Sequence, residues 1–366
     1  MPARKLRAWK TDWLLAALLG GSAAYFELFY WTDPSRLNWF GYIDQSYYLA
    51  LAQQLSHFNI EAQSFLFGLG YPLAGVPALW LGLTGDPFMP FNLFAFVFAA
   101  YATYQAGRRL VSPAVGAVAG FALIFASPLI YYVITPWNST VSLVAFSGLL
   151  LIASRPAAGR GLRYAVIAGA LVTWAFAARY IDLFWVFPLA LAALYRDSLR
   201  ASLKYWAVVA GTALVLVLPL LAVHNEFFGS PLKTPYSRPD LQEQSLSSYK
   251  LERVPRNAVG LLVGSNEAGV PDNHRGLLTS MFWALAALPG AYLLLRKPGR
   301  TRLVFGTVLA VTAVGGIFYL SYRGSDPDIL KFGTTHYFKL FAPGIAIMAA
   351  TALVALWPAA SRRRRG

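Results

Sequence analysis

Long apolar segments separated by short polar ones dominate the chain. Ten of them approach the roughly 20 residues that a helix needs to cross the hydrocarbon core of a bilayer. They are Trp13–Trp31, Pro87–Ala106, Ala114–Ile134, Ser139–Ala153, Tyr164–Ala178, Ile181–Tyr195, Tyr205–Val223, Leu277–Leu295, Leu303–Tyr322 and Lys339–Trp357. The pattern predicts an all-α polytopic membrane protein with about ten transmembrane helices.

Two weaker elements fall in the loop after the first span, residues 32–86. Over Asp44–Phe58 apolar residues recur at three- and four-residue spacing among polar ones, which is typical of an amphipathic helix lying in the interface. Phe65–Leu83 is apolar but broken by Gly and Pro, and we expect it to be half inserted. Two polar loops, 224–276 and 323–338, complete a single membrane domain over 1–366. We expect a core in 1–235, a loop and three further spans in 236–366, and no separate soluble domain.

Charge fixes an orientation for these elements. The formal net charge of +15 would suggest nucleic acid in a soluble protein, but only 13% of the residues are charged, against about 25% in soluble domains. Moreover, 20 of the 31 Lys and Arg residues fall in alternate loops and at the termini. The acidic residues in those same segments are only Asp12 and Asp197. This asymmetry predicts cytoplasmic termini and argues against a nucleic-acid partner. The absence of cysteine excludes disulfides and thiolate metal sites.

Asp44 is the leading candidate for chemistry, because it is a carboxylate among aromatic residues in the first outer loop. It could act as a general base or bind a metal, and it could equally be the N-cap of the amphipathic helix. Tyr42 and Tyr47 beside it are candidate substrate contacts.

Three further groups could recognise an anionic substrate. Arg179 and Asp182 lie between two short apolar segments, where charges are costly and often functional, and the Arg fork suits phosphate; the alternative is a structural ion pair. Lys233 and Arg238 follow the seventh span and could meet a phosphate or simply be solvated. His336 and Lys339 belong to an outer segment whose basic character suggests a nearby anion, although interfacial aromatics with snorkelling lysines would look alike.

Four stretches together resemble the GT-C superfamily of polyprenyl-phosphate-sugar-dependent membrane glycosyltransferases. They are Tyr42-Ile43-Asp44-Gln45-Ser46-Tyr47-Tyr48 before the amphipathic helix; Gly70-Tyr71-Pro72 with Gly85-Asp86-Pro87-Phe88; Thr135-Pro136-Trp137-Asn138-Ser139-Thr140; and Arg179-Tyr180-Ile181-Asp182 with Phe228-Gly229-Ser230-Pro231. The chain most resembles the branch that includes protein mannosyltransferases and lipid A aminoarabinose transferases.

The resemblance implies a GT-C-like fold with interfacial helices in the first outer loop. It also implies an inverting transfer of sugar from a polyprenyl phosphate, a donor that is itself a membrane lipid, to an acceptor glycan, lipid or protein on the extracytoplasmic face. Asp44 matches the family's first-loop acidic residue. Many members carry a second acidic residue there, where this chain has Gln45; a divalent cation is therefore the one cofactor left open, and no metal ligands are assigned. Two other functions stay open, a transporter or flippase of lipid-linked sugars and a non-catalytic membrane scaffold.

Overall fold

The computed structural model describes residues 2–32, 40, 43–61, 65–156, 159–235, 248–263, 276, 280–322 and 335–363. Within these ranges the chain is helical, apart from one isolated β-bridge between Tyr249 and Tyr322. The helices are α1 (Pro2–Thr32), α2 (Ile43–Ser56), α3 (Gly70–Trp80), α4 (Met89–Leu110), α5 (Pro113–Ile124), α6 (Ser127–Ile134), α7 (Ser139–Ser154), α8 (Leu162–Ala178), α9 (Leu183–Leu194), α10 (Leu199–Phe228), α11 (Val254–Val263), α12 (Ala287–Leu295), α13 (Arg300–Leu320), α14 (Thr335–Phe338) and α15 (Ala342–Arg363).

Four helical segments of the described chain are long and apolar enough to cross a membrane. They are Trp13–Thr32, Leu199–Phe228, Arg300–Leu320 and His336–Trp357, and all four overlap predicted spans. Four shorter apolar segments, of 10–17 residues, match further predicted spans: Ser139–Ser154, Leu162–Ala178, Tyr180–Leu194 and Phe282–Leu295. The all-α polytopic membrane fold is thereby confirmed, whereas the number of about ten crossings stays a prediction.

The predicted span Ala114–Ile134 is not one straight helix. It consists of α5 and α6, which meet at an angle of 61°. The break has a local cause, because Pro128 lies in the first turn of α6 and a proline ring both lacks an N–H and clashes with the preceding turn. The second half of this segment is therefore redirected, and it leads into the turn at 135–138.

The long loop predicted over 224–276 is also partly helical. Helix α10 continues to Phe228 and ends at Gly229, whose φ of 67° is the left-handed conformation that favours glycine. Further on, α11 occupies Val254–Val263. The predicted loop over 323–338 likewise turns helical at Thr335, so His336 lies at the start of the last candidate span.

Helix α7 forms the centre of the molecule. Every one of its residues except Leu151 is buried, and it packs against α4, α8 and α9. Two of its polar side chains near the N-terminus, Thr140 and Ser142, have no exposed surface. Since buried hydroxyls require hydrogen-bond partners, this end of α7 must face other polar groups, and those groups form the candidate site.

Helices α2 and α3 pack together beside the bundle. The predicted helix Asp44–Phe58 spans Ile43–Ser56 instead, so Asp44 lies inside its first turn rather than at the N-cap. Helix α3 has 11 residues, about 17 Å in length, which is too short to cross a bilayer and agrees with a half-inserted element. The Trp174 indole of α8 donates a 2.8 Å hydrogen bond to the Gly70 carbonyl, which ties this pair of helices to the bundle.

Candidate active site

Three segments far apart in sequence meet at one end of the bundle. Arg179 and Asp182 follow α8, Tyr319 lies in the last turn of α13, and His336, Tyr337 and Lys339 open the final span. Tyr319 and Tyr337 stack face to face, with ring centroids 5.0 Å apart and an interplanar angle of 10°. We call these two rings the aromatic cage, because both lie against the Arg179 guanidinium.

Arg179 is the charge at the centre of this group. Its guanidinium carbon lies 4.5 Å from the centroid of Tyr337 and 5.2 Å from that of Tyr319, distances at which cation–π attraction operates. Its Nη1 is 3.5 Å from Oδ1 of Asp182. The residue is only 8% exposed. A cation held in place away from water is suited to an oxyanion such as a phosphate.

Asp182 holds Arg179 in place. It is completely buried, and it accepts hydrogen bonds from the Ser142 hydroxyl and from the Tyr319 hydroxyl at 2.7 Å. The Tyr319 oxygen in turn accepts a 2.9 Å hydrogen bond from the Trp185 indole. A carboxylate with this many hydrogen-bond donors is held in a fixed orientation. Its contacts are those of the structural ion pair considered above, and substrate contact by Asp182 and Arg179 stays a prediction.

His336 and Lys339 lie behind the aromatic cage, and both are 3% exposed. The Lys339 ammonium donates to the Tyr132 carbonyl at 2.7 Å and to the Thr140 hydroxyl at 2.6 Å. The His336 ring stacks on Trp137 with centroids 4.1 Å apart, and its Nδ1 is buried without a hydrogen-bond partner among the described residues. The charge of Arg179 acts on both side chains, and positive charges this close together repel one another.

Asp44 approaches the same cluster from α2. It is half-buried, and its charge acts on the Tyr337 hydroxyl. Burial raises the pKa of the Asp44 carboxyl from 3.8 to about 6, because desolvation disfavours the charged form. Such a carboxyl is ionised at neutral pH yet remains an effective proton acceptor.

Gln45 connects α2 to the turn beneath His336. Its Nε2 donates a 3.2 Å hydrogen bond to the Pro136 carbonyl, and the side chain is 2% exposed. Gln45 is thus a structural link where many GT-C members have a second acidic residue. The described residues contain no group of three or more His, Asp or Glu placed to hold a metal ion.

A second carboxylate in this region has a clear structural role. Asp86 accepts hydrogen bonds from the backbone N–H groups of Phe88 and Met89 at 3.0 and 3.2 Å. The Tyr30 hydroxyl donates to it at 3.4 Å. Burial raises the pKa of this carboxyl to about 6 as well, yet its oxygens are engaged in holding the start of α4. A raised pKa therefore does not by itself distinguish Asp44; its electrostatic effect on Tyr337 of the aromatic cage does.

Not all the predicted site residues join the cluster. The Tyr47 ring packs against Phe67 at 6.4 Å, within a hydrophobic cluster that includes Tyr48 and Tyr71. Lys233 is exposed in the turn after α10. Tyr42 and Arg238 lie outside the described residues, and their predicted roles stay predictions.

Sequence reasoning missed Ser142 and Tyr319, which contribute the hydroxyls on Asp182. Both fall inside apolar stretches that read as spans, where a single hydroxyl gives little signal. Each is nonetheless a polar group about one turn from a helix end, and that placement is the one feature that could have identified them. Trp137 belongs to one of the four stretches that resemble the GT-C superfamily, but nothing in the sequence indicates that its ring stacks on His336.

Comparisons with known proteins identify the fold. No protein-family model and no curated protein matches the chain. Among solved structures it is similar to ArnT from Cupriavidus metallidurans bound to undecaprenyl phosphate, with a TM-score of 0.64 and 13% identity. That match covers 94% of this chain and 60% of ArnT.

The chain is also similar to the archaeal oligosaccharyltransferase AglB from Archaeoglobus fulgidus in complex with an inhibitory peptide and a dolichol-phosphate. Here the TM-score is 0.54, the identity 15%, and the coverage 98% of this chain and 52% of AglB. The chain thus spans about half to three fifths of these neighbours. Both are GT-C glycosyltransferases, which confirms the GT-C-like fold expected from the resemblance.

Proposed function

We propose that this chain is a membrane glycosyltransferase that moves a sugar from a polyprenyl-phosphate carrier to an acceptor, by inversion at the anomeric carbon. The observation that carries the proposal is the convergence of a buried, immobilised cation with a proton-accepting carboxylate. Arg179 lies against one ring of the aromatic cage, Tyr337, and the Asp44 charge acts on that same residue. The fold neighbours, one bound to undecaprenyl phosphate and one to a dolichol-phosphate, support a lipid phosphate as the anion.

In the proposed reaction, Asp44 removes the proton from the acceptor hydroxyl as its oxygen attacks the anomeric carbon. The bond between that carbon and the phosphate oxygen breaks, and its electron pair leaves with the polyprenyl phosphate. Arg179 donates hydrogen bonds to the phosphate as negative charge develops there, and stabilising such charge is often the largest catalytic contribution. Attack opposite to the leaving group inverts the configuration.

The other cations act at longer range in this scheme. The Lys339 ammonium already donates hydrogen bonds to the Tyr132 carbonyl and the Thr140 hydroxyl. In this scheme it therefore adds positive electrostatic potential and makes no direct contact with the substrate. His336 faces the same cluster with one ring nitrogen still available, and we assign it to the substrate or its phosphate. Lys233, with Arg238, remains a proposed contact from the loop after α10. No step of this scheme uses a metal ion.

We place the reaction on the extracytoplasmic face. Asp44 lies in the first turn of α2, the first helix of the interfacial pair α2 and α3, and the charge asymmetry of the loops supports an outer position for this end of the bundle. A site at the membrane surface suits a lipid-borne donor that must meet a water-borne or protein acceptor.

A transporter or flippase of lipid-linked sugars is the second candidate, and the bent pair α5 and α6 is the observation that favours it. Interrupted helices line the substrate sites of many transporters. The break here, however, comprises Phe125, Ala126, Ser127 and Pro128, none of which is charged, whereas the cations gather at the end of the bundle. That distribution fits surface chemistry better than transport.

One assay separates the candidate functions. Purified protein in liposomes is supplied with a labelled polyprenyl-phosphate sugar on one side, together with extracted envelope glycans, lipids and proteins as acceptors. Label appearing on an acceptor supports the transferase. Label crossing the bilayer while still attached to its carrier supports the transporter, and no change in either supports the scaffold.

A further inference from the structure

A second group of buried cations lies at the other end of the same helices. Arg160, Arg196 and Arg300, here called the arginine triad, surround the C-terminal ends of α7 and α9 and the N-terminal end of α13. The candidate active site lies at the opposite ends of these three helices. Helix α9 has 12 residues and α13 has 21, or about 18 and 32 Å, so the lengths of these helices separate the two groups.

The arginines of the triad donate hydrogen bonds to backbone carbonyls, most of them at the C-terminal ends of α7 and α9. Arg160 donates to the carbonyls of Ala193 and Tyr195. Arg300 donates to the carbonyls of Arg155, Ile152 and Ala193. Arg196 donates to the carbonyl of Arg160 and stacks on Tyr205 at 4.1 Å. These contacts hold the three guanidiniums together at one place.

Carbonyl dipoles do not neutralise three full charges. Burial, and after it the neighbouring charge of Arg196, lowers the pKa of Arg160 from 12.5 to about 10. The charge of Arg300 interacts unfavourably with both. The carboxylate that acts on Arg160 is Asp197, which is exposed. A partly buried excess of positive charge is costly unless an anion accompanies it.

The triad also keeps hydrogen-bond donors available. The Nε atoms of Arg160 and Arg300 are buried and have no partner among the described residues. Arg160 is only 1% exposed, whereas Arg196 and Arg300 are half-buried and can be reached from outside. Two half-exposed guanidiniums beside a buried third supply several donors suited to a phosphate.

The surroundings favour a lipid over a soluble phosphate. Exposed apolar side chains adjoin the triad along the chain, with Leu162 and Val166 at the start of α8, Leu199 and Leu203 at the start of α10, and Leu303 at the start of α13. Tyr164 and Tyr205, which carry arginines over their rings, are of the type found at membrane interfaces. A headgroup at the triad would therefore place its acyl chains along apolar helix surfaces.

We propose that the arginine triad binds the phosphate of an anionic phospholipid in the leaflet opposite to the active site. The bound lipid offsets part of the positive charge of the triad and joins the ends of α7, α9 and α13. This site is independent of the proposed transferase function, and it remains testable if that function fails.

Thermal unfolding of the detergent-solubilised protein tests the proposal. Phosphatidylglycerol at about 100 times its dissociation constant should raise Tm by roughly 5 °C, while phosphatidylcholine with the same acyl chains should raise it much less.

The Arg196→Gln variant should lose most of the difference between the Tm shifts that the two lipids produce, and Arg196→Lys should keep part of that difference. Arg200→Gln is the matched control: Arg200 is an exposed arginine at the start of α10, and this variant should respond like the wild type.

Two outcomes would overturn the proposal. Equal stabilisation by the two lipids would exclude recognition of an anionic headgroup, and inorganic phosphate reproducing the whole shift would assign the site to a soluble anion. If Arg196→Gln does not fold, native mass spectrometry of the wild-type protein decides. Selective retention of phosphatidylglycerol supports the site, and equal retention of phosphatidylcholine contradicts it.

Discussion

Asp44 illustrates how one side chain can be costly for folding and useful for chemistry. Burial raises its pKa to about 6, so the folded protein binds a proton more readily at this group than the unfolded chain does. The contribution of Asp44 to stability is therefore greatest below the unfolded pKa near 4, and it is lost as pH rises through about 6. At neutral pH the fold holds a desolvated carboxylate, and such a group is poised to accept a proton.

The pH dependence of transfer follows from this property. Because the base must be ionised, kcat/KM should fall about tenfold per pH unit below pH 6 and should level off above it. Initial rates in liposomes between pH 4.5 and 8.5 measure the profile, with Tm recorded at each pH to exclude unfolding. A profile that is flat through pH 6, or that rises toward acid, would remove Asp44 as the base.

Tyr319 is the second residue with a specific expectation. Tyr319→Phe keeps the ring of the aromatic cage but removes the 2.7 Å hydrogen bond to Asp182 and the acceptor for Trp185. Loss of one donor to a buried carboxylate costs about 1–3 kcal/mol, so denaturant unfolding should show a clear loss of stability. Since Asp182 orients Arg179, kcat should also fall, with a smaller change in KM.

Phe318→Leu at the neighbouring position is the control for altered packing alone. An unchanged kcat in Tyr319→Phe would show that Asp182 does not need this hydrogen-bond donor.

At the scale of elements, the glycines of the first outer loop determine how close α3 can approach α8. A Cβ added at Gly70 would lie 2.5 Å from the backbone nitrogen of Ala178, and one added at Gly68 would clash with the Ala177 carbonyl. These backbone atoms cannot move away from an added methyl group as the end of a flexible side chain can. The position of Arg179, directly after α8, therefore depends on residues more than 100 positions earlier in the chain.

Gly70→Ala should consequently lower both stability and transfer. We expect a loss of roughly 2–4 kcal/mol in unfolding free energy, in the range of other overpacked contacts, measured by denaturant titration in detergent. Gly21→Ala is the matched control, because nothing lies within 4 Å of a Cβ there and alanine favours a helix. If Gly70→Ala were as stable and active as Gly21→Ala, the close approach of α3 and α8 would not matter for the site.

The sequence allowed the apolar helices to be predicted, but not their interruptions. Length and hydropathy locate Trp13–Thr32, Arg300–Leu320 and the last span within a few residues, because spanning length is a strong physical constraint. The bend after Phe125 was missed, since the apolar run continues through Ser127 and Pro128 without a polar break. Helix α11 was missed because a short helix in a polar stretch resembles a loop.

For the whole molecule, the two charged clusters define two faces. The candidate active site and the arginine triad lie at opposite ends of α7, α9 and α13, and the proposed orientation puts the first outside and the second in the cytoplasm. The individual groups Asp44, Arg179 with Asp182, and His336 with Lys339 were predictable, because charge in an apolar chain is conspicuous. Their convergence was not, because it depends on contacts between positions up to about 300 residues apart that leave no local pattern.

Orientation is testable because the chain has no cysteine, so single-cysteine variants give unambiguous labels. Asn59→Cys, after α2, and Arg200→Cys, at the start of α10, both replace exposed residues. A membrane-impermeant maleimide should label Asn59→Cys in intact cells and Arg200→Cys only after permeabilisation. The reverse pattern would invert the topology, and labelling of both in intact cells would mean that these two ends do not lie on opposite sides.

The central claim, that Asp44 is the base of a sugar transfer, is tested most directly by Asp44→Asn in the liposome transfer assay. The amide keeps the shape but cannot accept the proton, so transfer should fall by at least about 100-fold. Its Tm at pH 7 should equal or exceed that of the wild type, because the variant no longer buries a charge, and this excludes misfolding as the cause. Turnover at the wild-type rate in a well-folded Asp44→Asn protein would contradict the account.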